Sequence, residues 1–226
     1  MNKDILLIFP PNNMEAVLGK GKTFVTALEP LGILYIAANL EKYGYSVDFL
    51  DAFAQGIGIK EIIEHIKKTK PKVIGISCLT SDGTITFKLC QEIKEKFPEI
   101  FLILGNLHAS IFADYFIKNA KVDLVVHGEG EYTIVKVMDA LKNKGDFSAI
   151  KGITYRDGEE IKNTGPAEII MNLDELPWPA RHLIDLNDYG WSFHYFPARW
   201  FKKPKQMRLM MSSRGCPNGC SFCAVH

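Results

Sequence analysis

The sequence predicts a doubly wound α/β domain built on a five-stranded parallel sheet, followed by a linker and the beginning of a second domain. Three observations support this. Short apolar runs of strand length alternate with amphipathic helical stretches from residue 4 to about residue 145. The strand runs are apolar at nearly every position, as strands covered on both faces are. The alternation then stops, and a hairpin signal and a proline-rich stretch take its place. Alternating strands and helices imply parallel pairing through right-handed crossovers.

The elements follow in order. Residues 4–9 (DILLIF) read as the first strand. Residues 30–43 (PLGILYIAANLEKY) read as a helix, with Pro30 in the first turn and Gly44 just past the end. Residues 46–51 form a second strand. Ile59, Ile62, Ile63 and Ile66 follow helical spacing and mark a second helix. Residues 73–77 give the third strand. A third helix spans 84–97, with Ser81 and Asp82 as capping candidates. Strand 101–105, helix 111–119, strand 122–126 and helix 131–142 complete the domain. In such a sheet ligands bind beyond the carboxyl ends of the strands, so loops 10–29, 77–83, 105–110 and 127–131 are the ones that bear on function.

Beyond the alternation, GITYRDGEEIKN (152–163) reads as a hairpin turning at Asp157 and Gly158. LDELPWPARHLIDL (173–186) suits a packed linker. The basic residues between 199 and 208 read as a solvated linker face rather than a phosphate-binding patch. Residues 208–211 (RLMM) fit the first strand of another domain. The expected division is 1–145, 146–205 and 206–226.

The chain has 226 residues, 47% of them hydrophobic and 23% charged, with a formal net charge of +1. This balance favours neither a nucleic-acid nor a membrane partner. The apolar run at 5–9 is too short for a signal segment or a membrane span, and a cytoplasmic location is expected. Five cysteines, three of them clustered at 216, 220 and 223, point to metal binding in a reducing compartment rather than to disulfides.

Cys216, Cys220 and Cys223 have the spacing C-x3-C-x2-C, within SSRGCPNGCSFC. Three soft thiolates can hold three irons of a 4Fe–4S cluster and leave the fourth iron open to a small chelating molecule. Gly215, Pro217 and Gly219 supply the turns that let the sulfurs converge. With His226 the set becomes Cys3His, a legitimate structural zinc site, which iron and sulfur content would distinguish. The loop resembles that of the radical S-adenosylmethionine enzymes. That resemblance implies S-adenosylmethionine chelated at the open iron and cleaved by an electron from the cluster to a 5′-deoxyadenosyl radical, with Phe222 near the adenine.

The loops of the first domain narrow the field further. Before the first helix the chain reads Ala27-Leu28-Glu29-Pro30-Leu31-Gly32, after the third strand Ser77-Cys78-Leu79-Thr80, and after the fourth Gly105-Asn106-Leu107-His108. A hydroxyl at Ser77 can bond a buried heterocycle nitrogen. Gly105 leaves its backbone open to a bulky nucleotide tail, and Gly32 allows close packing of the first helix. The pattern resembles the flavodoxin-like cobalamin-binding domains, which carry D-x-H-x-x-G, S-x-L and G-G at these places. Glu29 stands where their cobalt-ligating histidine would be. The departure implies that bound cobalamin would have its own base displaced with no histidine from that loop replacing it, as in the cobalamin-dependent radical S-adenosylmethionine subgroup. HGEGE (127–131) is also similar to that subgroup.

Gly128 and Glu129 are candidate ligand contacts at the binding edge, the plainer reading being a turn before a helix whose dipole favours Glu131. His108 reads equally as a cofactor contact or a loop hydrogen bonder. Cys78 and Cys90 read as core, and His65, His182 and His194 as structural or exposed. Methylthiotransferases are set aside, because their first domain needs three cysteines and only two precede Cys216.

Only the first strand and cluster loop of a β/α barrel fit into 206–226. The chain therefore reads as the front part of a longer enzyme, unable alone to cleave S-adenosylmethionine. The resemblance implies cobalamin, a 4Fe–4S cluster and S-adenosylmethionine as cofactors, an unidentified small-molecule substrate, and an electron donor such as flavodoxin or ferredoxin. The reaction expected is methyl transfer to an unactivated carbon, with ring formation or rearrangement as runner-up. A complete, non-catalytic carrier or sensor module is the alternative from another class.

Overall fold

The computed structural model describes residues 3–12, 27–189 and 208–223. Five strands are parallel: β1 (Ile5–Phe9), β2 (Val47–Asp51), β3 (Val73–Ser77), β4 (Phe101–Gly105) and β5 (Leu124–Val126). Two more, β6 (Ile153–Asp157) and β7 (Glu160–Asn163), continue the same sheet in antiparallel fashion. The order is β2-β1-β3-β4-β5-β6-β7. Among the described residues the sheet thus has the five parallel strands the sequence indicated and two antiparallel ones besides. The hairpin expected in the linker turns at Gly158, whose φ is +61°, and pairs β6 with β5. Without it the three residues of β5 would be a bare sheet edge.

β1 pairs with β2 on one side and β3 on the other, with Leu7 opposite both Phe49 and Gly75. The order in which strands are added reverses at β1, with β2 on one side and β3 on the other, so a crevice opens at the carboxyl ends of β1 and β3. Side chains alternate across the sheet. Ile5 and Leu7 join the core under α1 (Leu31–Lys42) and α6 (Gly130–Asn143). Leu6 and Ile8 join the core under α2 (Ile59–Thr69), α3 (Gly83–Lys96), α4 (Leu107–Ile111) and α5 (Ala113–Asn119). Each fully buried aliphatic side chain contributes about 1.5–3 kcal/mol to that packing. The buried Asn39 side chain donates to the Glu131 carbonyl at 2.6 Å and ties α1 to α6.

Two further differences have local causes. The helix expected over 111–119 is two short helices broken at Phe112, whose ring packs 4.7 Å from that of His108. Residues 208–211, expected to start a strand, pair with no strand among the described residues. The described residues of the linker carry three single 3-10 turns, at Leu173–Glu175, Arg181–Leu183 and Leu186–Asp188. It is fastened to the domain where the Ala180 N–H donates to the Leu34 carbonyl (3.1 Å) and the Tyr189 hydroxyl to Asp51 (2.7 Å). His194, His226, the basic residues at 199–205 and most of the loop at 10–29 lie outside the described residues. Among the described residues no helix is long and apolar enough to cross a membrane.

Candidate functional site

A cavity of about 500 Å³ opens at the carboxyl edge of the sheet, between β1, β3, β4, β5 and the helices α1 and α6. Its floor is apolar, formed by Leu7, Ile103 and Val126 of the sheet with Ile33, Ile36 and Ile134 of the helices. Gly75, in the middle of β3, lets the Leu7 side chain lie against the sheet in that floor: a Cβ there would lie 2.8 Å from the Leu7 Cδ2. Gly32 and Gly105 lie at its rim, and a Cβ at either would meet nothing within 4 Å. These glycines leave backbone accessible to a large flat ligand without clash.

Polar groups sit at the rim. Asn106 caps α4 with φ +79° and ψ 172°, an extended positive-φ conformation that is ordinarily left to glycine and that explains why a glycine would also serve there. Its Oδ1 accepts the Leu107 N–H, and its Nδ2 donates to Ser77 Oγ at 3.1 Å. Both residues line the cavity, as do Gly128 and Glu129. The segment after the linker closes the opposite wall through Met211, Ser213, Arg214 and Gly215.

The other candidate residues lie elsewhere. Glu29 is buried and paired, its Oε2 accepting from Arg181 Nε at 2.8 Å, with Arg208 at 3.6 Å from Oε1. It does not line the cavity; it anchors the linker. The Leu79 N–H donates to Asp82 Oδ1, and Thr80 is exposed on the adjacent turn. His108 packs its ring on Phe112 and against Gly83, outside the cavity. Phe222 is 91% exposed. Cys78 and Cys90 are fully buried, and burial pushes both thiols up, Cys78 to about 12. His65 pairs with Asp48 and His182 with Glu41. Cys216 is exposed, Cys220 and Cys223 half-exposed, and among the described residues no three metal-ligating side chains are gathered.

Residues 21–138, more than half of the chain, match the B12 binding domain family. This chain belongs to the B12-binding domain family. This chain is 29% identical to an uncharacterized methyltransferase of Pyrococcus horikoshii over 97% of its own length and 45% of that protein. It is 33% identical to an anaerobic magnesium-protoporphyrin IX monomethyl ester cyclase of Synechocystis sp. over 87% of this chain and 38% of that protein. The chain thus spans less than half the length of these relatives. In fold it is similar to OxsB, a cobalamin-dependent S-adenosylmethionine radical enzyme solved with aqua-cobalamin and S-adenosylmethionine, with TM-score 0.66 and 22% identity over 79% of this chain and 24% of that one. It is also similar to the radical S-adenosylmethionine methyltransferase TsrM of Kitasatospora setae, with TM-score 0.59 and 16% identity over 73% and 30%.

In the B12-binding domain the residues lining the cavity suit the heterocyclic base of a corrinoid. Apolar walls suit a heterocyclic base, Ser77 and Asn106 offer polar contacts at the rim, and the open glycines admit bulk beside the backbone. The cysteine loop has the right donor set for an iron cluster, but its sulfurs are not gathered among the described residues, so no chemical step is derived through it. Sequence reasoning missed Gly75, although a lone glycine inside an apolar strand signals close approach of another group. It also read Glu131 as a helix-dipole residue, whereas its carboxylate lies 2.6 Å from Arg214. Nothing local in the sequence signals that pairing.

Proposed function

We propose that this chain binds cobalamin along the carboxyl edge of its sheet, with the displaced base in the cavity between α1, α6 and the strands. The observation that carries the reading is the apolar cavity opening past Gly32 and Gly105 at the sheet's switch point, in a chain of the B12-binding domain family. Ser77 orients the base by hydrogen bonding, and Asn106 holds Ser77 in place. Gly128 and Glu129 contact the ligand's rim. Glu29 gives cobalt no ligand, because its carboxylate is committed to Arg181.

The whole protein is a cobalamin-dependent radical S-adenosylmethionine enzyme that transfers a methyl group to an unactivated carbon of a small molecule. Its Cys216, Cys220 and Cys223 hold a 4Fe–4S cluster, reduced by a flavodoxin or ferredoxin. When bound, the corrinoid supplies the methyl group and the cluster with S-adenosylmethionine supplies the radical. Ring formation is the second reading, favoured by the 33% identity to the Synechocystis cyclase.

The test is to mix the chain with hydroxocobalamin, pass it through gel filtration and record the visible spectrum. Co-elution of about one corrinoid per chain is expected. Gly105→Val, whose new side chain has room in the fold but projects at the cavity rim, should keep the melting temperature and weaken uptake by roughly 10-fold or more. Absence of corrinoid on well-folded parent chain refutes the reading.

A further inference from the structure

Arg214 stands two residues before Cys216, and its guanidinium spans two carboxylates. Nη1 lies 3.1 Å from Glu129 Oε1, and Nη2 lies 2.6 Å from Glu131 Oε1. The planar fork of arginine suits such double pairing, which lysine cannot reproduce. A third side is supplied by Tyr35 of α1, whose ring centroid lies 5.4 Å from Arg214 Cζ. Glu131 is only 4% exposed, so the pairing is shielded from solvent on that side. Glu129 is also fixed independently, because its other oxygen accepts the Ile170 N–H. One side chain therefore touches α1 and the entry to α6, with Glu129 in turn holding the linker at Ile170, and it forms part of the cavity wall.

The chain direction changes immediately afterwards. Gly215 has φ +79°, a left-handed conformation that bulkier residues resist, and it sends the chain outward so that Cys216 is exposed. At the other end of the same segment, Arg181 donates to the Leu209 carbonyl while pairing with Glu29. The stretch from 208 to 214 is thus tied at both ends, and Arg214 fixes the end from which the cysteine loop departs. Arginine pairing with two carboxylates and an aromatic face exceeds what a solvated loop needs, and its position explains what it holds.

We propose that Arg214 is the positioning residue that sets the cysteine loop at a fixed place over the mouth of the cavity. The proposal rests on the corrinoid reading only for the second of its two readouts. The first is a distance. Spin labels are placed at Cys216 and at Lys118→Cys, an exposed site on α5, in a chain carrying Cys220→Ser and Cys223→Ser; Cys78 and Cys90 are buried and stay unlabelled. The parent should give one narrow distance distribution. Arg214→Gln should broaden it roughly twofold or more, with Arg214→Lys in between. An unchanged width in folded Arg214→Gln overturns the proposal. If that variant does not fold, Glu129→Gln, which removes one of the two contacts, carries the same test with the same two outcomes.

The second readout uses the chain with its cysteines intact. The hydroxocobalamin dissociation rate should rise about tenfold in Arg214→Gln. An unchanged rate on a chain that binds overturns the placement of the loop over the mouth. If the parent takes up no hydroxocobalamin, the corrinoid reading fails, while the distance width still decides the role of Arg214.

Discussion

Asp82 is 3% exposed and keeps its carboxylate beneath the loop that follows β3. Its Oδ1 accepts the Leu79 N–H at 2.8 Å and faces the Thr86 hydroxyl at 3.4 Å. Burial outweighs these bonds and pushes its carboxyl from the ordinary 3.8 up to about 6. The folded state therefore holds this proton more tightly than the unfolded state does. The resulting stability is fully present below the unfolded value and is lost as pH rises through about 6. Asp82→Asn keeps an acceptor and never ionises. Its stability relative to the parent should rise between about pH 4 and pH 7.5, by up to roughly 3 kcal/mol, in urea unfolding at the two values. A difference that does not change with pH would contradict this. Single residues were readable in the sequence when their signal was local. Ser77 and Gly105, which line the cavity, stood out as a hydroxyl and a bare backbone at strand ends, while Asn106 entered only through the motif resemblance. Glu29 carried no sign of its partner, since Arg181 lies 152 positions away.

Elements follow the same division. The parallel strands and most helices were legible because apolar runs and helical spacing are local patterns, and the turn at Gly158 was legible from Asp-Gly. Docking of that hairpin onto β5 was not, because it depends on pairing Leu124 with Tyr155 across the intervening α6. The break at Phe112 has no proline or glycine to announce it and comes from packing against His108. The hairpin has energetic consequences. Ile153 is fully buried, and Tyr155 packs its ring 5.4 Å from Phe147, which in turn lies 5.9 Å from Phe101. A chain shortened to residues 1–145 would expose β5, paired to β4 by only Ile103 with Leu124 and Leu104 with Val125. Such a chain should lose its cooperative thermal transition or aggregate on heating, as circular dichroism and light scattering would show. A melt matching that of the full chain would mean that the hairpin is an appendage and the boundary near 145 is real.

At the scale of the whole molecule, the sheet, two helix layers and a returning segment converge on one opening. The sequence indicated the carboxyl edge as the place for a ligand, from topology alone. It could not indicate that Met211, Ser213, Arg214 and Gly215 form part of the wall, because a contact between Arg214 and Glu129 spans 85 positions. The cavity has a further consequence for the molecule as an object that must stay folded. Leu7, Ile103 and Ile134 are almost fully buried, and they line the apolar floor of the cavity, where water or a guest can meet what surface they leave. A guest that covers them finishes the interior, and by mass action it holds the native form in proportion to its occupancy. At a hundredfold excess over its Kd, hydroxocobalamin should add about 2.7 kcal/mol and raise the melting temperature by roughly 5–10 °C. A melting curve indifferent to a corrinoid that demonstrably co-elutes would mean the guest rests on the outside. A guest that lies within the cavity would instead tie the persistence of the fold to the guest's own supply, through mass action alone.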